Sequence, residues 1–213
     1  RDMSEQRAAR AVVAGHACVD IIPGLTTGEP IEPGKLVHAG PLQFATGGAV
    51  ANTGLALSRL GLDARLIAAC GEDRLGPVLR DLIAEHPVDH ELITFPEAPT
   101  SYSIVISPPN TDRSFMHCPG VNDAFEPARI TDEMLGGASL LHFGYPPVMQ
   151  QTFADGGAQL ADLFHRARAL GLRTSLDMCG FTPTSPAGQV DWPAWLDRVL
   201  PQVDCFTPSH DEL

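Results

Sequence analysis

The 213-residue chain predicts an α/β fold, a mostly parallel sheet flanked by helices and carrying a small β flap. Two observations lead there. Short apolar runs alternate with stretches of helical period, the pattern of strands covered on both faces by crossover helices. A glycine- and proline-rich passage near the start and a hairpin-like pair of runs in the middle interrupt that alternation and supply the flap.

The elements follow in order. Ala11 to Ile22, A-V-V-A-G-H-A-C-V-D-I-I, reads as one strand. The next passage, through Pro23, Gly24, Gly28, Pro30, Pro33, Gly34 and Pro41, is barred from helix, and a short β segment such as Lys35 to Ala39 fits inside it. A helix starts at Gly48, with Ala49, Thr53, Leu57 and Leu60 near helical spacing and Gly61 as its stop. Ala64 to Cys70 reads as a buried strand, G-E-D-R-L-G-P as a turn in which Asp73 caps the next helix, and Val78 to Glu85 as that helix. Ser101 to Ser107 and Arg113 to His117 flank P-P-N-T-D as a hairpin able to pair with the first flap. From Ser139 the alternation resumes: strand S-L-L-H-F-G, a helix through Leu160, Leu163, Phe164 and Ala167 closed by Gly171, and strand Arg173 to Asp177. A helix near Trp192 to Leu200 and a strand from Val203 to Thr207 complete the series. This is one domain over residues 1–213, with flap segments at about 23–43 and 101–117.

A composition of 44% apolar and 19% charged residues is that of a globular protein. The net charge of -12, from 26 acidic and 14 basic residues, repels nucleic acid and anionic lipid. No run approaches the ~18 apolar residues that span a bilayer, and the first ten residues are too polar for a signal peptide. Five widely spaced cysteines without a C-x-x-C pair fit reduced thiols and a cytoplasmic location.

The richest segment is Phe44 to Gly61, F-A-T-G-G-A-V-A-N-T-G-L-A-L-S-R-L-G. Gly47 and Gly48 admit a close ligand, first-turn N–H groups lack intrahelical partners, and Asn52 both donates and accepts hydrogen bonds. Asp20, Gly144 with Tyr145, and Asp177 are expected at strand ends, where parallel sheets place ligands. A carboxylate there accepts hydroxyl hydrogen bonds, although a turn or cap role serves Asp20 and Asp177 equally. The eight histidines show no zinc-ligand spacing, and His117 and Cys118, being adjacent on a strand, point to opposite faces. Hydrolase, P-loop and dinucleotide fingerprints are missing, which weakens any oxidoreductase reading.

Taken together these segments resemble the ribokinase-like (PfkB) carbohydrate kinases from Ala11 to Leu213. G-H-A-C-V-D is similar to the family's first segment, whose aspartate holds substrate hydroxyls, here Asp20; G-G-A-V-A-N is similar to its first signature, which assigns sugar contacts to Gly47, Gly48 and Asn52. G-E-D-R-L-G and P-G-V-N resemble further landmarks, and Asp177 stands where many members carry D-x-N-x-R, although D-M-C-G-F follows here. P-S-H-D-E resembles the N-x-x-E element that organises Mg²⁺, with Ser209 in place of asparagine and Glu212 as the glutamate. The resemblance implies transfer of the γ-phosphoryl of ATP to a sugar or nucleoside hydroxyl, with closing flaps and a homodimer formed through them. The family's later glycine-rich segment, which carries the base aspartate and shapes the adenine pocket, does not occur before Leu213. The chain is therefore expected to be C-terminally incomplete and inactive alone. The alternative is a non-catalytic sugar-binding or regulatory protein.

Overall fold

The computed structural model describes residues 10–28 and 31–212. The polar N-terminal segment and Pro30 of the first flap therefore lie outside the described residues. Strands β1 (Arg10–Gly15), β2 (Cys18–Leu25) and β3 (Ala39–Gly47) precede helix α1 (Ala49–Arg59). Then come β4 (Asp63–Gly71), α2 (Leu75–Ala84), β5 (Asp89–Phe95), β6 (Tyr102–Ile106) and β7 (Ser114–Cys118). The remainder holds a one-turn α3 (Asp132–Leu135), β8 (Leu140–Gly144), α4 (Ala158–Ala169), β9 (Arg173–Asp177), α5 (Trp192–Val199) and β10 (Cys205–Phe206).

Six strands form a parallel sheet in the order β10-β9-β8-β1-β4-β5. Its central strands β8, β1 and β4 are mostly apolar because both faces are covered. Along β1, Val12 and Ala14 join Leu141, Phe143, Leu163, Phe164 and Trp195 on one side, while Val13 joins Val50, Leu55, Leu66, Leu79 and Ile83 on the other. A mostly parallel sheet between helices is the architecture expected from the alternation.

A second sheet, ordered β3-β2-β6-β7, stands beside the first. Its polar and exposed strands match a layer covered on one side at most: β3 and β7 are largely exposed. The hairpin β6–β7 is antiparallel as expected, and its first strand pairs with β2.

Several expectations are corrected. The stretch Ala11 to Ile22 is not one strand; it breaks at His16–Ala17 and serves both sheets. At the break the His16 N–H donates to the Gly144 carbonyl (3.2 Å), the His16 carbonyl accepts from the Val50 N–H (3.0 Å), and the Asn122 side chain donates to the Ala17 carbonyl (2.9 Å). The second strand of the flap runs from Ala39 to Gly47 rather than from Lys35 to Ala39, and β5 had no strong sequence signal because its residues alternate only weakly. Helix α1 buries Ala49, Val50, Ala51, Gly54 and Leu55; of the stripe expected through Ala49, Thr53, Leu57 and Leu60, Ala49 is buried, Leu57 packs at the edge of the core and Leu60 is 78% exposed. The last strand is two residues long instead of five.

Candidate functional site

The C-terminal edge of the parallel sheet and the inner side of the small sheet meet at the His16–Ala17 break. Two groups of polar residues face each other there.

The first group belongs to the small sheet. Asp20 is not at a strand end, as expected, but in the middle of β2, where it pairs with Ala45 of β3 and Ser103 of β6; Ser103 in turn pairs with His117 of β7. The register thus lines Asp20, Ser103 and His117 across one face. The Asp20 carboxylate lies over Gly47, where the carboxylate oxygens fill the space a Cβ would need. The Cys18 thiol donates to Asp20 Oδ1 (3.4 Å). Burial raises the Asp20 carboxyl pKa, opposed by that hydrogen bond and by the charge of Arg113.

Gly48 closes this side. Its φ of 90° is a left-handed conformation that glycine adopts without penalty, and a Cβ would stand 2.6 Å from the His16 carbonyl oxygen. The glycine pair therefore does two separate things: Gly47 leaves room for a carboxylate, and Gly48 lets α1 begin against the break. No side chain caps α1, so its first N–H groups are available apart from that of Val50.

The second group sits at the ends of β8 and β9. Tyr145 adopts a left-handed backbone (φ 67°) directly after β8, and its N–H donates to the Asp177 carbonyl (3.2 Å). Its ring centroid is 6.1 Å from that of His16, which joins the two groups. Burial pushes the Tyr145 phenol up; the Asn52 side chain, exposed on the first turns of α1, approaches the phenol and favours its ionised form. Burial also raises the Asp177 carboxyl, helped by the negative charge of Glu212, while one Asp177 oxygen accepts the Met178 N–H (3.0 Å). Glu212 Oε2 accepts the Ser209 N–H (2.6 Å) and the Glu212 N–H donates to the Ser209 carbonyl (3.2 Å), so these two residues are locked to one another through the backbone.

The site residues expected from sequence are therefore placed in two groups: Asp20, Gly47 and Gly48 around the small sheet, and Tyr145, Asp177, Ser209 and Glu212 beyond the ends of β8, β9 and β10, with Asn52 approaching Tyr145 from α1. Sequence reading missed His16, Cys18, Ser103 and His117. Their only signal was His16 and Cys18 preceding Asp20, because His117 joins them through strand register. Asn122 of P-G-V-N is fully buried and holds the break rather than the cleft. Asp73 accepts from the Gly76 N–H (3.1 Å), the Thr100 N–H (3.1 Å) and the Thr100 hydroxyl (2.6 Å), which makes it a cap for α2 and an anchor for the segment entering β6. Beside the cleft a hollow of about 610 Å³ is lined by Phe115, His117, Pro147, Val148, Phe153 and Phe181 among others.

Comparison with known proteins supplies the family. Residues 8–213 match the model of the pfkB family carbohydrate kinases. The chain is 27% identical over 146 residues to a probable chloroplastic fructokinase-6 of Arabidopsis thaliana (67% of this chain, 36% of that protein) and 30% identical over 136 residues to a probable fructokinase-3 of the same plant (61% and 37%). It thus matches little more than a third of the length of these relatives. Among solved structures, the ribokinase of Giardia lamblia superposes with a TM-score of 0.72 at 17% identity, covering 94% of this chain and 58% of that one. The Arabidopsis thaliana ribokinase complexed with ribose and ATP gives 0.69 at 21%, covering 96% and 61%. These likenesses place the parallel sheet, its helices and the small sheet in a ribokinase-like fold, and the family match over nearly the whole length makes the chain a member of the pfkB carbohydrate kinase family.

Proposed function

We propose that this chain is the acceptor-binding portion of an ATP-dependent sugar kinase, in which a hydroxyl of a sugar or nucleoside attacks the γ-phosphoryl of ATP. The observation that carries the reading is the Asp20 carboxylate held over Gly47, next to the break whose His16 ring lies 6.1 Å from that of Tyr145. A partly buried carboxylate accepts two hydroxyl hydrogen bonds and strengthens both by excluding water. Gly47, Gly48 and Asn52 orient the same ring, and Tyr145 and Asp177 close its far side. The two fructokinase relatives make a fructose-type sugar the first acceptor to test.

The donor end fits a hard cation. Glu212 and Asp177 are close enough for one charge to oppose ionisation of the other, which a bound Mg²⁺ would relieve, and the donors are all oxygen. Glu212 and Ser209 are the residues that would hold Mg²⁺, which when bound neutralises charge on the phosphates of ATP. Catalysis of phosphoryl transfer is chiefly positioning, so the part of this chain is to fix the acceptor oxygen and exclude water. On this reading the acceptor proton passes to an aspartate outside the 213 residues, and the small sheet, with segments 23–43 and 101–117, acts as a lid. Exposed Leu42, Phe44, Phe115 and Met116 on its edge strands β3 and β7 support a homodimer formed through that lid. The five unpaired cysteines fit a reducing, cytoplasmic compartment.

The test is an assay of the full-length protein with MgATP against fructose, ribose and nucleosides, reading both ADP and the phosphorylated product. Product formation with one acceptor class supports the reading. Binding of a sugar with no phosphoryl transfer would replace it with that of a sugar-binding regulator.

A further inference from the structure

Near the break between the sheets, His16 and Cys18 from one segment and His117 from another about a hundred residues away bring soft and borderline donor atoms together. His16 Nε2 and His117 Nε2 face each other at 3.4 Å, and the Cys18 sulfur completes a trio whose donor atoms all lie within 4.8 Å of one another. Two nitrogens bound tetrahedrally to one zinc ion at about 2.0–2.1 Å are separated by ~3.4 Å, which is the spacing of the two rings.

The surroundings are arranged as those of a metal ligand set. Ser103 Oγ lies 3.0 Å from His117 Nδ1, an outer hydrogen-bond partner that leaves Nε2 facing His16. His16 is 4% exposed, and its Nδ1 has no hydrogen-bond partner although it is buried. Coordination at His16 Nε2 would offset the cost of burying that imidazole, whose Nδ1 lacks the outer hydrogen bond that His117 has to Ser103. Asp20 Oδ1 accepts a hydrogen bond from the Cys18 thiol (3.4 Å) but is not one of the closely spaced donor atoms.

We propose that His16, Cys18 and His117 bind one divalent cation of the zinc class, as three protein ligands with the fourth position left to water. A thiolate with two imidazoles selects zinc over magnesium, so this site is separate in chemistry as well as position from the oxygen donors at Glu212. Binding displaces the proton of the Cys18 thiol and forms one metal–sulfur bond, with no redox change. It also ties the break between the sheets, at His16, to β7 of the small sheet, at His117. A consequence rests on the acceptor role proposed above: deprotonating Cys18 ends its hydrogen bond to Asp20 and sets a metal-bound thiolate beside that carboxylate, so zinc changes acceptor affinity.

The experiment is a Co²⁺ titration of tag-free full-length protein followed by optical absorption, then displacement by Zn²⁺. The expected result is one equivalent of tetrahedral Co²⁺ with a thiolate-to-cobalt charge-transfer band, displaced by Zn²⁺ and unaffected by excess Mg²⁺. Cys18→Ser should abolish the charge-transfer band, and His117→Ala, on a largely exposed strand, should weaken binding at least ~10-fold with circular dichroism unchanged. Weak octahedral absorption in the wild-type protein, or a band that survives Cys18→Ser, would overturn the site. If the cobalt site forms as described but Zn²⁺ leaves sugar affinity unchanged, the cation site stands and the acceptor role of Asp20 falls.

Discussion

The carboxylate of Asp20 occupies the space that a side chain at Gly47 would fill. The antiparallel register of β2 and β3 sets Gly47 opposite Cys18, two residues before Asp20, so the carboxylate leans along the strand onto bare backbone. The absence of a side chain at one residue thus fixes the pose of a charge on another.

Gly47→Ala should therefore act on binding more than on folding. The methyl displaces the carboxylate, and losing its charge-assisted hydrogen bonds to the acceptor costs about 1.5–3 kcal/mol, or roughly 10–100-fold in affinity. Calorimetry with the acceptor and a urea melt of the same variant separate the two effects; an unchanged affinity would count against this geometry.

Gly48→Ala should do the reverse. Its left-handed φ and the nearby His16 carbonyl make any Cβ strained, and the expected stability loss is about 1–3 kcal/mol, visible as a lower urea midpoint at unchanged m-value.

Asp73→Ala should reduce stability by about 1–3 kcal/mol, because the N–H groups of Gly76 and Thr100 lose their acceptor. Acceptor affinity should remain as in wild type, since Asp73 is remote from the cleft. A selective loss of affinity would assign it a binding role instead.

His142 gives the fold an acid sensitivity. Burial pushes its pKa from 6.5 down to about 4, so the folded protein holds a neutral ring where the unfolded chain takes up a proton. Its stabilising contribution is complete above the unfolded value and is lost as pH falls toward the folded one, with an upper bound of ~3 kcal/mol. Unfolding free energies between pH 7 and 4 should fall less steeply for His142→Gln than for wild type; parallel slopes would contradict the assignment.

The parallel core was legible because a mostly apolar run such as Ala64 to Cys70 reads as a strand buried on both faces. The glycine pair, Asn52 and Asp20 were legible through their motifs. What escaped was long-range register. Nothing local reveals that Ala11 to Ile22 breaks at His16, because the break is held by Gly144, Val50 and Asn122 from three other segments. For the same reason His117 read as an isolated histidine: its neighbours Ser103 and His16 reach it only after the hairpin pairs with β2.

The most direct test is titration calorimetry of the full-length protein and its Asp20→Ala variant with fructose, ribose and a nucleoside. The account predicts that the acceptor bound by the wild-type protein loses at least ~10-fold in affinity in the variant, while thermal stability changes little. Equal affinity in the two proteins, with the variant folded, would contradict the placement of the acceptor at Asp20 and with it the proposed site.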